Sequence, residues 1–301
     1  MKKLLEKDFA AIQRQMNNRS RDIDLAVFNA LFIDNDKDLV ADAISMYLNT
    51  DGGFGHGLEN DNLNPYSTAV QTNEALRILK LVGFQSINDS EHLNYLLKNS
   101  FKYLYDKAVR IANKWLLAES SNNKFPCAQK YKCEKEELNK NNPTASIVGL
   151  TLYFCDEKMK YYKKAMELLN KVIDDFLSYD IVDEYDIESY NVLVDCLELK
   201  NLTHPKLDEL KEKLYLKSVE LVNLNNSLAL KLFNGYTEDE SINKIIDECL
   251  DNLIDSLPTH GLWENTNKWE NSYPEEESAN LKWMGCITYR NLVVLRNFNR
   301  L

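Results

Sequence analysis

The sequence predicts an all-α protein of about twelve helices, and two observations support this prediction. Apolar residues recur at helical spacing along most of the 301-residue chain, whereas runs with the strict alternation of a β-strand are absent. Only 9 glycines and 6 prolines interrupt these patterns. Because no Pro-, Gly- or Ser-rich linker divides the helices, we expect a single domain over residues 1–301.

The helices can be placed in order along the chain. The first carries an apolar stripe made of Leu4, Leu5, Phe9, Ile12 and Met16. The fourth ends at Gly83, a residue type suited to a helix C-cap. The pattern predicts helices near residues 3–18, 22–33, 37–49, 67–82, 91–105, 107–118, 144–155, 158–177, 184–199, 205–222, 225–234 with 238–256, and 277–297.

Composition limits the function classes. With 44% hydrophobic and 28% charged residues, the chain is of the globular type. A net charge of −11 repels a phosphate backbone, so we expect no nucleic-acid partner. The first residues lack a signal-peptide pattern, and the longest apolar run, 146–155, is about half the length of a membrane span. Six cysteines, mostly in apolar helical patterns, favour reduced thiols and a cytoplasmic location.

Three long loops suggest an internal repeat. They cover residues 50–66, 119–142 and 257–276, and each lies between a predicted helix and a second helix that starts near Ser/Thr-Ala. Loops of this length are uncommon in compact domains unless they are functional. If the helical pairs stack with one polarity around an axis, all three loops meet at one end, together with the positive N-termini of the following helices. That end is the predicted site.

Two of these loops share a short motif. His56-Gly57-Leu58-Glu59-Asn60 matches His260-Gly261-Leu262-Trp263-Glu264-Asn265. A carboxylate and an imidazole close together can share general acid–base work. The candidate catalytic residues are Asp51, His56, Glu59, Asp61, His260 and Glu264. The alternative is that duplication preserved residues that only fold the loop.

Aromatic residues are concentrated near the same loops. The candidate ligand-binding residues are Phe54, Trp263, Trp269, Tyr273 and Trp283. Aromatic faces can stabilise a carbocation or stack on a sugar ring, and they can equally serve as packing between helices.

The segment with "DGGFGH", Asp51 to His56, resembles a known superfamily. The matching positions are Tyr47, Asn49, Asp51, Gly52, Gly53, Phe54, Gly55, His56, Leu58, Glu59, Asp61, Pro65 and Ser67, with Trp283, Gly285, Thr288 and Leu295 near the end. They are similar to the terpenoid cyclases and protein prenyltransferases, above all to single-domain bacterial squalene-cyclase-like proteins. The resemblance covers about 45–85 and 258–298 and implies an (α/α)₆ toroid of six helical hairpins. It implies no established reaction, and the D-x-D-D and D-D-x-x-D motifs of the cyclases are absent.

Three functions remain open at this point. The first is binding, or acid-catalysed conversion, of a small isoprenoid-like ligand, with Asp51, Glu59 or Asp61 as proton donor, His56 as its partner and the tryptophans as the wall. The second is carbohydrate binding or chemistry, in which Glu59 or Asp61 would act opposite Glu264 or Glu270. The third is a non-catalytic module that binds a peptide or protein. We expect neither a metal nor another cofactor, because Cys127 and Cys133 lack a standard zinc spacing. The sequence leaves the oligomeric state open.

Overall fold

A computed structural model of the chain describes residues 1–133, 142–265, 269 and 273–301. These residues form twelve α-helices and one two-stranded antiparallel sheet, which confirms the all-α prediction. The helices are α1 (Glu6–Arg19), α2 (Asp22–Phe32), α3 (Asp38–Ser45), α4 (Ala69–Leu81), α5 (Glu91–Asp106), α6 (Thr144–Phe154), α7 (Lys160–Ser178), α8 (Glu184–Leu199), α9 (Leu207–Leu224), α10 (Ala229–Leu232), α11 (Glu240–Asp255) and α12 (Glu275–Asn297). The strands are β1 (Arg110–Ile111) and β2 (Lys114–Trp115).

Side-chain caps fix the start of several helices. The Thr68 hydroxyl accepts a hydrogen bond from the Gln71 backbone N–H at the start of α4. Asp183 accepts from Asp186 N–H at the start of α8, and Asp239 caps α11 in the same way. Each cap satisfies a backbone donor that a helix leaves without an internal partner.

One predicted helix is wrong. Residues 107–118 were expected to be helical, but β1 and β2 form a hairpin there, with Ala112 and Asn113 at φ of 50° and 70°. Left-handed φ values at two successive positions are those of a tight hairpin turn and are incompatible with a helix. The total still reaches twelve because residues 225–255 form two helices, α10 and α11.

The helix α6 lies in the centre of the packing. All eleven of its residues are buried, and it packs against α4, α7 and α8. A Cβ at Gly149 would lie 2.7 Å from the Cα of Leu193 on α8. Glycine at this position therefore allows the two helix backbones to approach closely.

The two ends of the described chain meet. The Leu4 N–H donates to the Arg300 carbonyl oxygen at 2.9 Å, and the Arg300 guanidinium donates to the Lys2 carbonyl oxygen at 2.7 Å. The helix α12 packs against α1 and α2. Within the described ranges, no helix is both long enough and apolar enough to cross a lipid bilayer.

Candidate functional site

Three loops share one anchoring contact. In each, the backbone N–H of an aromatic residue donates to the hydroxyl of a threonine on the helix that follows. The pairs are Phe54 with Thr72 at 3.0 Å, Trp115 with Thr144 at 3.0 Å, and Trp263 with Thr288 at 3.1 Å. Phe54 and Trp263 lie in two of the loops predicted from the sequence, whereas Trp115 lies on β2, before the predicted loop 119–142.

The turn before each aromatic residue is also repeated. Gly52, Asn113 and Gly261 each lie two positions before it and have φ values of 96°, 70° and 88°. These positions make Phe54 the structural counterpart of Trp263. The motif match, which pairs His56 with His260, is thus in a different register from the structural repeat.

The opening loop uses most of its polar groups to hold its own shape. Asp51 Oδ1 accepts from the Gly53 N–H at 3.0 Å and from the Ser67 hydroxyl at 2.6 Å. His56 is exposed, and its Nε2 lies 2.9 Å from Asn49 Oδ1. Phe54 is fully buried in the core. These contacts fold the loop, and none of them links Asp51 or His56 to Glu59 or Asp61.

His260 and Glu264 form a pair at the surface. The Nε2 of His260 lies 2.8 Å from Glu264 Oε1, and the Glu264 side chain is 61% exposed. Trp263, between them, is buried and donates its indole N–H to the Leu253 carbonyl oxygen at 3.0 Å. No described contact joins this pair to Glu59 or Asp61. Glu270, the other carboxylate considered for that role, lies outside the described residues.

Asp61 brings together three distant parts of the chain. Its Oδ1 accepts from the indole N–H groups of Trp269 at 2.8 Å and Trp283 at 2.9 Å. Its Oδ2 lies 3.2 Å from the Lys130 ammonium. Two indole donors and one ammonium group thus lie against the two oxygens of this buried carboxylate. Tyr273 packs edge-on against Trp269, with ring centroids 6.2 Å apart.

Glu59 has a different environment. It is 8% exposed, and burial raises its pKa to about 7; the negative charges of Glu74 and Asp61 act in the same direction, whereas Lys130 opposes it. Its Oε1 has no hydrogen-bond partner among the described residues. A carboxyl group with a pKa near neutrality can both donate and accept a proton under physiological conditions.

Asn60 adds an unusual feature. Its side chain is 1% exposed, and neither Oδ1 nor Nδ2 has a hydrogen-bond partner within the described ranges. Buried polar groups are nearly always hydrogen-bonded, because leaving one unpaired costs about 1–3 kcal/mol. Three polar atoms of two adjacent residues, Glu59 and Asn60, are thus buried without a described partner.

Further charged residues surround this centre. Glu74 on α4 is paired with Arg290 on α12, whose guanidinium lies 5.4 Å from the Trp283 ring centroid. The Lys130 ammonium lies 5.5 Å from the ring centroid of Tyr185, at the start of α8. Charged groups and aromatic rings that carry polar groups thus lie near Glu59, Asn60 and Asp61, a set that we call the acid–base centre.

The sequence analysis missed several of these residues. Lys130 and Arg290 belong to no motif, and Asn60 was part of the shared motif without being a candidate. The contact between Lys130 and Asp61 joins residues 69 positions apart. Glu74 and Arg290 each follow an anchoring threonine by two positions, a signal that the correct repeat register would have exposed.

No group of three or more His, Cys, Asp or Glu residues placed to hold a metal ion occurs among the described residues. Comparisons with protein-family models, with curated proteins and with solved structures found no match to this chain.

Proposed function

We propose that this protein binds a small hydroxyl-rich molecule, of the saccharide class, over the acid–base centre, and that Glu59 exchanges a proton with it. The observation that supports this most directly is the set of unpartnered buried atoms, Glu59 Oε1 with Asn60 Oδ1 and Nδ2. A hydroxyl group both donates and accepts a hydrogen bond, so ligand hydroxyls that enter when the loop opens would form hydrogen bonds with the amide and the carboxyl together.

The charged surroundings favour this ligand class over an isoprenoid-like one. Trp269 and Trp283 direct their indole N–H groups to Asp61, and Lys130 and Arg290 lie close by. An apolar ligand would leave the polar atoms of Glu59 and Asn60 unpaired and would add the cost of desolvating these charges. A polyol would supply partners for them.

The two carboxyl groups suit different roles. Asp61 is held in position by two indole donors and by Lys130, so it would orient the ligand. Glu59, with its pKa raised to about 7 by burial, would be the group that gives or takes the proton. Neighbouring carboxyl groups in other active sites also take different roles because their environments differ.

We further infer that the helices close into the ring that the terpenoid-cyclase resemblance implies. The contacts of α2 with α12, α4 with α6, α6 with α8 and α8 with α10 support a succession of neighbouring inner helices. The hydrogen bonds between Leu4, Lys2 and Arg300 support closure at the chain ends. In such a ring the three anchored loops lie at one end, around the acid–base centre.

A fluorescence titration tests the proposed ligand class. Trp269 and Trp283 contact Asp61 directly, so intrinsic tryptophan emission reports on ligand binding at this centre. We would titrate a panel of neutral monosaccharides, disaccharides and uronic acids, with farnesol as the isoprenoid comparison. The variants are Asn60→Leu and Glu59→Gln, and the control is Glu264→Gln at the exposed pair.

We expect at least one saccharide to bind saturably, Asn60→Leu to weaken it by at least about tenfold, and Glu264→Gln to leave it unchanged. Any turnover of the bound sugar should be lost in Glu59→Gln, which retains the shape of the side chain. Binding of farnesol with no saccharide binding would favour the isoprenoid alternative. Absence of binding by every member of the panel would contradict the proposal.

A further inference from the structure

A second region of the molecule, separate from the acid–base centre, forms a cavity of about 510 Å³. It lies between the opening loop and the segment that follows α5. The residues of its wall include Asp51, Tyr66, Tyr103, Lys107 and Glu119. Neither Glu59 nor Asp61 contributes to it. The cavity therefore needs its own explanation.

Glu119 provides a buried carboxyl group in the wall of this cavity. Its side chain is only 5% exposed, yet it belongs to the cavity wall. Its Oε1 accepts from the Ala69 N–H at 2.8 Å, at the first residue of α4. Its second oxygen has no partner among the described residues, and it is not one of the fully enclosed unpartnered atoms. The second oxygen is therefore not fully enclosed, and Glu119 forms part of the cavity wall.

No cation of the described chain is paired with Glu119. Three buried carboxylates elsewhere in the described chain do have such partners: Asp24 is bound by Arg21, Asp61 by Lys130 and Glu74 by Arg290. Lys107 lies in the same cavity wall, but it donates to the Asp51 carbonyl oxygen at 2.8 Å and forms no ion pair with Glu119. A buried carboxylate without a counter-charge is costly for the folded protein.

A second acid strengthens the negative character of the cavity. The pKa of Tyr103 is raised by burial and then by the negative charges of Glu119 and Asp51, so both carboxylates act on this hydroxyl. Burial raises the pKa of Glu119 to about 7, and the Ala69 N–H is the group that opposes it. Asp51 and Glu119 are thus two carboxyl groups in one cavity wall.

We propose that this cavity binds a small organic molecule through an ammonium group, with Glu119 as the counter-ion. Asp51 adds to the attraction, and the rings of Tyr66 and Tyr103 line the cavity where they can contact a cation or its carbon skeleton. The Tyr66 side chain is 61% exposed and packs edge-on against Phe125, which places an aromatic ring at the entrance. Aromatic walls favour an organic cation over a bare metal ion, whose ligands are carboxylate, carbonyl and water oxygens.

Matched amine and alcohol probes test this proposal. The experiment is a ¹H–¹⁵N NMR titration of the full chain with tyramine and with its neutral counterpart, in which a hydroxyl replaces the amine. The Ala69 amide, bonded to Glu119, is the reporter. MgCl₂ and CaCl₂ are titrated separately. Glu119→Gln removes the charge but can still accept from the Ala69 N–H, and Glu264→Gln is the control at a distant exposed carboxylate.

We expect tyramine to shift the Ala69 signal saturably, and the alcohol to bind at least about tenfold more weakly because it lacks the charge-assisted hydrogen bond. Glu119→Gln should weaken tyramine by a similar factor, and Glu264→Gln should have no effect. Tyr66→Leu, at an exposed position that tolerates substitution, should weaken it by about threefold.

Three results would overturn the proposal. The first is equal binding of amine and alcohol, and the second is unchanged tyramine binding by Glu119→Gln. The third is a saturable response to Mg²⁺ or Ca²⁺ with none to tyramine. Because the saccharide titration uses other probes and other variants, failure of one proposal leaves the other testable.

Discussion

In the opening loop, the anchor Phe54 is followed by three buried polar residues, Glu59, Asn60 and Asp61. In the loop that follows α11, the anchor Trp263 is followed by Glu264, which is 61% exposed and paired with His260. Both anchors donate to a threonine of the next helix, and both follow a glycine with positive φ. A common scaffold thus carries a buried set of polar groups in one copy and a solvent-exposed pair in the other.

This difference indicates what the repeat preserves. The anchor, the turn and the threonine are structural, and they keep the loop in position relative to the next helix. The residues after the anchor differ between the two loops. Among the described residues, it is the opening loop that places a carboxylate, Asp61, against Trp269, Trp283 and Lys130. The shared motif His-Gly-Leu therefore does not identify the chemistry.

The largest effect should come from the turn glycines. A Cβ at Gly52 would lie 2.6 Å from the Asn99 carbonyl oxygen, whereas at Gly261 the nearest atom is 3.2 Å away. Gly52→Ala should lower the free energy of unfolding by about 4 kcal/mol, from backbone strain and overpacking together. Gly261→Ala should cost about 2 kcal/mol, mostly from strain. Chemical denaturation measures both, and equal costs would show that the two turns have equivalent surroundings.

The next effect concerns pH and Glu59. Its pKa is about 7 in the folded protein, above the ordinary value of 4.5, so the folded state binds this proton more tightly than the unfolded state. Protonation of Glu59 therefore contributes about 3 kcal/mol to the free energy of unfolding below about pH 4.5. This contribution is lost as the pH rises through about 7. Glu59→Gln should flatten this part of the stability profile measured by denaturation between pH 5 and 8. If the free energy of unfolding of Glu59→Gln changed with pH as steeply as that of the wild type, Glu59 would not have a raised pKa in the folded protein.

A smaller effect is expected at the ion pair that joins the two repeats. Glu74 and Arg290 follow their anchoring threonines by two positions and bind each other. Arg290→Ala should destabilise the fold by about 2 kcal/mol, less than for a fully buried pair, because the Arg290 side chain is 40% exposed. The exchange Glu74→Arg with Arg290→Glu should recover part of that loss in a double-mutant cycle. Strict additivity of the two single substitutions would show that the pair is not coupled.

The smallest effect has opposite signs in the two loops. Asn60 has no described partner for either amide atom, whereas Asn265 Nδ2 donates to Asn280 Oδ1 at 2.9 Å. Asn60→Leu should therefore raise the free energy of unfolding by about 1 kcal/mol, and Asn265→Leu should lower it by about 1 kcal/mol. Thermal melting of both variants gives the signs directly. A lower melting temperature for Asn60→Leu would mean that the amide supports the fold itself.

Much of the fold followed from local patterns in the sequence. Helical periodicity and the C-cap signal at Gly83 predicted the helices, because these signals lie within a few residues of one another. The hairpin at 110–115 was missed because its left-handed residues are Ala112 and Asn113 and lack the usual glycine. Glu59 and Asp61 were identified from their unusual loop, but their partners were not.

The partners were missed for a physical reason. The Asp61 contacts to Trp269 and Trp283 span more than 200 positions and depend on helix packing that local patterns do not encode. Glu119 belongs to no sequence motif. It is buried because it binds the start of α4, which is 50 positions away in the sequence. Candidate residues can be found from composition and spacing, whereas their protonation and pairing require the fold.

The complete burial of α6 has a consequence for the order in which the molecule opens. Every residue of this helix is enclosed, and Gly149 allows the α8 backbone to lie directly against it. Solvent can reach the α6 amides only after its neighbours have separated, so their hydrogens should exchange with deuterium last, at the rate of global opening. The loops around Asp61 can open locally and admit solutes while the amides of α6 and α8 remain protected from exchange.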